Sequence, residues 1–155
     1  RHHTSLLMRQ HHTVSIAPMV GYSSRFFRRL VRLQSAEVAV WSEMVKTSAA
    51  LEARAAADID RLLLRGHQDG YEVLQLGGDS PEDLARCVGL AHAYSYDEVS
   101  LNLGCPAAST GGAGYGAALA RTPEKAAALV HAMATEAASA TTPATVSAKI
   151  RVAVA

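Results

Sequence analysis

Cysteine is scarce in this chain, with only Cys87 and Cys105 among 155 residues. Two thiols fall short of a disulfide framework and of a four-ligand zinc site, so neither is expected, and a reducing compartment is the simpler reading. Long apolar runs are missing too: none approaches the roughly 20 residues needed to span a bilayer, so no membrane partner is expected. The Ala-rich stretches are interrupted by Glu, Arg, Lys or Asp and read as soluble helices. An excess of charge of one sign is also lacking. The formal net charge is +1, which excludes the global basic field that would by itself argue for nucleic acid. Acid is absent locally: residues 1–36 hold six arginines and four histidines but no Asp or Glu. A basic arm on RNA phosphates, an acid-poor organelle leader, and a solvated tail followed by a basic helix all fit that pattern. The cytoplasm is the expected location, with an organelle left open by the leader. What remains is ordinary globular material, 49% apolar and 19% charged. It suffices for one domain with a core and excludes disordered and collagen-like chains.

Residues 1–13 carry His pairs at 2–3 and 11–12 without apolar periodicity and read as a flexible arm. No carboxylate or cysteine accompanies those histidines, so no metal is expected there. From residue 14 onward, short β-branched runs alternate with amphipathic stretches. Strands are expected at 14–20, 38–45, 71–78, 99–103 and 144–152. Pro18 removes a ladder donor, so the first strand should end or become irregular there. Gly21 is the turn after it, and Ser23 or Ser24 caps a helix whose apolar side holds Phe26, Phe27, Leu30, Val31 and Leu33. Arg25, Arg28, Arg29 and Arg32 take the opposite, solvated face. The Ala-rich segment 47–64 reads as helix with a break near Ala57 and Asp58, ended by Gly66. Asp79-Ser80-Pro81-Glu82 and Thr122-Pro123-Glu124 are two strong helix starts. The first opens a helix that places Cys87 in the core as an inert thiol.

Strand-helix alternation of this kind argues for a parallel sheet covered by helices. Periodicity leaves two architectures open, a doubly wound open sheet and the first part of a (β/α)8 barrel. In both, chemistry sits at the C-terminal ends of the strands. Residues 98–106 read Glu-Val-Ser-Leu-Asn-Leu-Gly-Cys-Pro and leave Asn102 and Cys105 at such an end. The glycine-rich stretch 111–116 fits neither a Walker A loop nor a dinucleotide fingerprint and reads as a flexible active-site loop. Gln75 and Asn102 are either binding groups or turn amides that satisfy the backbone. Lys149 inside an apolar strand needs a charge partner or a function. Glu43 is a candidate for that partner, or else holds the loop after the second strand.

Five strand ends can be read together: Ala17-Pro18-Met19, Ser42-Glu43-Met44-Val45, Gln75-Leu76-Gly77-Gly78, Asn102-Leu103-Gly104-Cys105-Pro106 and Lys149-Ile150-Arg151. In this order and spacing the set resembles the tRNA-dihydrouridine synthases, FMN-dependent enzymes that reduce uridines of tRNA. The A-type branch is the nearest, given the Glu-Met-Val segment and Tyr96-Asp97-Glu98 before the fourth strand. The resemblance implies α/β architecture: the first five strands and four helices of a truncated (β/α)8 TIM barrel over residues 14–155, without the later strands and the helical tRNA-binding domain.

By the same resemblance Pro18, Met19 and Val20 line the flavin ring, Gln75 hydrogen-bonds it and Lys149 faces its N1/O2 edge. A fixed ammonium there would stabilise the negative charge of a reduced flavin. Asn102 orients a flipped-out uracil, and Cys105 gives a proton to C5 as hydride reaches C6. Such a donor must hold its proton at neutral pH. Arg151 pairs with substrate phosphate or is a strand-end surface charge. NADPH is the implied reductant and tRNA the implied partner. Ala113 and Ala153 stand where the family carries glycine, and the loop after Cys105 lacks the family's usual arginine. Two other readings are an FMN barrel oxidoreductase acting on a small molecule and a non-catalytic interaction fragment. A five-strand piece of a barrel exposes two edges and an apolar inner face. By itself it is expected to be unstable or dimeric, not to retain flavin and to be inactive.

Overall fold

A computed structural model of the chain describes residues 14–66, 70–106 and 114–152. The arm 1–13, the loop 107–113 and residues 153–155, with Ala113 and Ala153 among them, lie outside the described residues. The strands are β1 (Ser15–Ile16), β2 (Ala39–Lys46), β3 (Glu72–Gly77), β4 (Glu98–Asn102) and β5 (Thr145–Lys149). The helices are α1 (Arg25–Gln34), α2 (Thr47–Glu52), α3 (Ala56–Leu63), α4 (Pro81–Ala93) and α5 (Pro123–Ser139), with a 3-10 turn at Gly116–Arg121. The strands lie in the order β1-β2-β3-β4-β5, and every neighbouring pair is parallel. A doubly wound sheet reverses its strand order at a switch point. This sheet never reverses, so the choice left open by periodicity falls to the (β/α)8 barrel, of which it is a five-strand sector.

β1 is shorter than the run 14–20 promised. With no N–H at Pro18 the chain leaves the ladder, and the Met19 carbonyl accepts from the N–H groups of Tyr22 and Ser23 at 3.0 and 2.8 Å. Gly21 supplies the positive φ of that turn, 82°. Of the two capping candidates Ser24 caps α1, accepting from Phe27 N at 3.4 Å, while Ser23 Oγ accepts from Met19 N at 3.0 Å. The helical segment 47–64 breaks earlier than expected, between Glu52 and Ala56, which makes five α-helices among the described residues where four were expected. Ala50 and Leu63 are both buried, and an unbroken helix would point them roughly 140° apart at 3.6 residues per turn. The break lets both reach the core. Both Pro-led starts are observed, with Ser80 Oγ accepting from Asp83 N at 3.2 Å.

The core lies between the sheet and its helices. Side chains alternate across a strand, and Val99, Leu101 and Leu103 join Leu74 and Leu76 in one buried cluster with Leu84, Cys87, Val88 and Ala91 of α4 and Leu129, Met133 and Ala137 of α5. The opposite face corrects an expectation. At β4 and β5 it carries Glu98, Ser100 and Asn102 in register with Thr145, Ser147 and Lys149, so it is polar rather than apolar. Glu98 is satisfied there, accepting from Tyr71 OH at 2.8 Å and from Ser147 Oγ. Burial, and then that bond, push the Tyr71 hydroxyl up to about 12.

A second correction concerns α1. Arg28 and Arg32, expected in solvent, are buried, whereas Phe26, Leu30 and Leu33 are exposed. The cause is Glu72, the first residue of β3, which is 2% exposed. Its carboxylate accepts from Arg28 Nε at 2.5 Å and from Arg65 Nε at 3.4 Å. Arg28 also donates to the carbonyls of Ser23 and Leu64, at 2.6 and 3.0 Å, and Arg32 to those of Ala36 and Tyr71, at 2.7 and 2.9 Å. A buried carboxylate and four inward carbonyls attract guanidinium groups more strongly than they attract leucines. Gly66 permits this approach, because a Cβ there would stand 2.7 Å from the Arg25 carbonyl oxygen and 2.8 Å from Arg28 Cβ.

Candidate functional site

An open cleft of about 480 Å³ lies at the C-terminal ends of the strands. Pro18, Val20, Met44, Gln75, Asn102, Gly104, Cys105, Lys149 and Arg151 line it. Seven of the eight residues singled out from the sequence therefore meet in one place. Met19 does not line it: its backbone anchors the turn before α1, and its side chain is exposed.

Each wall follows from local structure. A bulge in β2 between Trp41 and Met44 shifts its register against β3. Ser42 Oγ accepts from Gln75 N at 2.9 Å, and beyond the bulge Met44 pairs with Gln75 and faces the cleft. Met44 is the lining residue that strand periodicity missed, and no regular alternation reveals a bulge. Glu43 instead lines a larger hollow of about 860 Å³ with Arg25 of α1 and Asp60 and Arg61 of α3. It forms no ion pair with Lys149 among the described residues, which corrects the proposed partnership. Lys149 is exposed at the cleft and has no burial to offset.

Asn102 organises the turn at the end of β4. It is 8% exposed, and its Oδ1 accepts from the N–H groups of Gly104 and Cys105 at 3.1 and 2.9 Å. Its Nδ2 donates to Gln75 Oε1 at 2.9 Å. The Cys105 carbonyl accepts from Ala117 N at 3.0 Å, which ties the turn to the 3-10 segment. Arg151 Nε donates to the Gly104 carbonyl, so this arginine braces the turn while its side chain lines the cleft. Cys105 is half-buried and reaches the same space. Cys87 lies elsewhere, 1% exposed in the core, where burial pushes its thiol up to about 12. The cleft thus brings together a thiol, a buried amide donor and two cations at the strand ends of a barrel sector. That combination suits a planar, electron-rich ligand and a proton-transfer partner beside it. Among the described residues no group of His, Cys, Asp and Glu can hold a metal ion, and no helix is long and apolar enough to cross a membrane.

Comparison with known proteins gives this arrangement its family. The family model for dihydrouridine synthase matches residues 15–155. A tRNA-dihydrouridine(20/20a) synthase of Shewanella oneidensis is 41% identical over 121 residues, covering 78% of this chain and 35% of the relative. Its namesake in Synechocystis is 35% identical over 120 residues, covering 77% and 35%, and that of Pseudomonas putida is 42% identical over 92 residues, covering 59% and 26%. The chain belongs to the dihydrouridine synthase family. It spans about a third of the length of the curated relatives it matches.

Proposed function

We propose that these residues form the strand-end half of a flavin site that reduces uridine to 5,6-dihydrouridine in tRNA, with NADPH as the reductant. The observation that carries this reading is the Gln75 amide. The residue is 1% exposed, and its Nε2 has no hydrogen-bond partner among the described residues although it stands at the cleft wall. A buried donor without a partner, on a residue that forms a cleft wall, is satisfied once a ligand brings an acceptor against that wall. The ring of FMN offers such acceptors, and Lys149 and Arg151 bring positive charge to the same space. When bound, the flavin would supply the hydride that C6 of the uracil receives.

The chain's own residues would do the rest. Pro18 and Val20 pack beside the ring, Gln75 donates to it, and Lys149 balances negative charge on its N1/O2 edge. Cys105, held by its turn, delivers a proton to C5 of a uracil taken out of the base stack. Asn102 adjoins that uracil, and Arg151 lies where the RNA backbone would enter. The names of the relatives point to tRNA positions 20 and 20a as the uridines reduced.

A chimera tests the reading: residues 15–152 of this chain replace the aligned third of the Shewanella oneidensis relative in a host whose own dihydrouridine synthases are deleted. Dihydrouridine is expected at the relative's positions in tRNA. Cys105→Ala in that chimera should lower its formation at least 100-fold while NADPH still reduces the flavin at nearly the parent rate. A Cys105→Ala chimera that loses both reactions together would make the residue structural.

A further inference from the structure

The turn at Gly104 and Cys105 leaves the Asn102 amide one orientation. Backbone N–H groups only donate, and two of them point at the same side-chain atom, at 3.1 and 2.9 Å. That atom must be the oxygen. The nitrogen of Asn102 therefore faces Gln75, and the atom that it meets at 2.9 Å must in turn be the Gln75 oxygen. With its oxygen turned to Asn102, Gln75 directs its Nε2 away from that amide, and Nε2 is the atom without a partner. Its main chain is fixed as well, through Ser42 Oγ at 2.9 Å. The N–H groups of Gly104 and Cys105 thus dictate, through Asn102, which end of the Gln75 amide, 27 residues from Asn102 along the chain, is left for a ligand.

We propose that Asn102 is a positioning residue with two outputs. It holds the Cys105 turn by its oxygen, and by its nitrogen it sets Gln75 as a hydrogen-bond donor toward the ligand. The site so set favours a carbonyl oxygen or an unprotonated ring nitrogen over a ligand N–H opposite Gln75 Nε2. Asn102 has at most one Nδ2 hydrogen left for a substrate, so its main work is on the protein. The second output rests on the flavin reading; the first does not.

Asn102→Asp separates the two. Its carboxylate still accepts from Gly104 and Cys105 but cannot donate to Gln75, which turns over and shows its oxygen to the cleft. The chimera described above, with the wild-type residues and with Asn102→Asp, Asn102→Ala or Gln75→Ala, is titrated with FMN up to millimolar concentration by fluorescence quenching. Amide hydrogen exchange at Gly104 and Cys105 is measured alongside. Asn102→Asp is expected to weaken FMN binding at least tenfold with exchange unchanged, and Gln75→Ala to do the same. Asn102→Ala is expected to weaken binding and also to speed exchange at both amides at least tenfold. Equal FMN affinity in wild type and Asn102→Asp overturns the second output, and unchanged exchange in Asn102→Ala overturns the first. Should Asn102→Ala not fold, faster exchange at the two amides in folded Asn102→Asp overturns the first output in its place. If the chimera with the wild-type residues binds no FMN at any concentration, the flavin reading fails together with the second output, and the exchange data alone decide the first.

Discussion

Two cysteines in one small chain meet opposite conditions. Cys87 is packed in the core with its Sγ 3.9 Å from the Thr47 carbonyl, and Cys105 opens on the cleft. A disulfide-exchange reagent at pH 8 should therefore titrate one thiol in the native protein and two in denaturant. The buried thiol also predicts a pH effect. Burial raises Cys87 from the ordinary 9.0 to about 12, so above pH 9 the unfolded chain gives up a proton that the folded chain keeps. The folded state then binds more protons, and stability falls as pH rises through that window, by up to about 1.4 kcal/mol per pH unit. Tyr71, raised from 10.0 to about 12, adds a similar loss beginning one unit higher. Urea midpoints should be level below pH 8 and decline from pH 9, and Cys87→Ala should remove the decline between pH 9 and 10. A slope unchanged in that variant would place the titrating group elsewhere. At this scale the sequence was informative, since Cys87 showed its core spacing and Cys105 its place after a strand. The amide relay was not legible. It depends on a register between two strands 27 residues apart, and side-chain type alone does not specify an orientation.

Among the elements, α1 shows where pattern reading reverses. Its apolar and basic positions separate cleanly, and hydrophobic burial at about 25 cal/mol per Å² favours the apolar side facing inward. A single buried carboxylate, Glu72, outweighs that preference, because an unpaired charge in the core costs several kcal/mol. No property of residues 25–34 announces it, for the deciding residue is in another strand. Arg28→Met should destabilise the fold by about 3 kcal/mol by leaving Glu72 underpaired. Arg29→Ala, on the exposed side of the same helix, should change stability by no more than about 0.5 kcal/mol. Urea unfolding of the two variants checks the reversal directly, and equal costs would contradict it. The β2 bulge is the second case. It exchanges Glu43 for Met44 at the cleft, and an extra residue in a strand leaves no mark on local composition.

For the whole molecule, strand order carried the decision that periodicity left open, and it has a consequence for association. Among the described residues the sheet in the order β1 to β5 has two edges, and each edge strand presents backbone groups to pairing. Beside the β1 edge the exposed face of α1 adds Phe26, Leu30 and Leu33, with Val14, Val20 and Tyr22 exposed nearby in sequence. A closed barrel would cover such a face with a neighbouring helix. The polar inner face argues against association through the sheet's open side, since Glu98, Ser147 and Lys149 would have to lose water there. Association of the 155-residue chain should therefore run through the β1 edge and α1. Sedimentation velocity should find dimers or larger species at micromolar concentration. Phe26→Asp with Leu30→Asp should shift them toward monomer while leaving the urea midpoint nearly unchanged, because both side chains already face solvent. Lys149→Ala on the inner face should leave the distribution as it was. If the α1 double variant sediments like the parent while Lys149→Ala does not, the contact lies on the inner face in spite of its polar side chains.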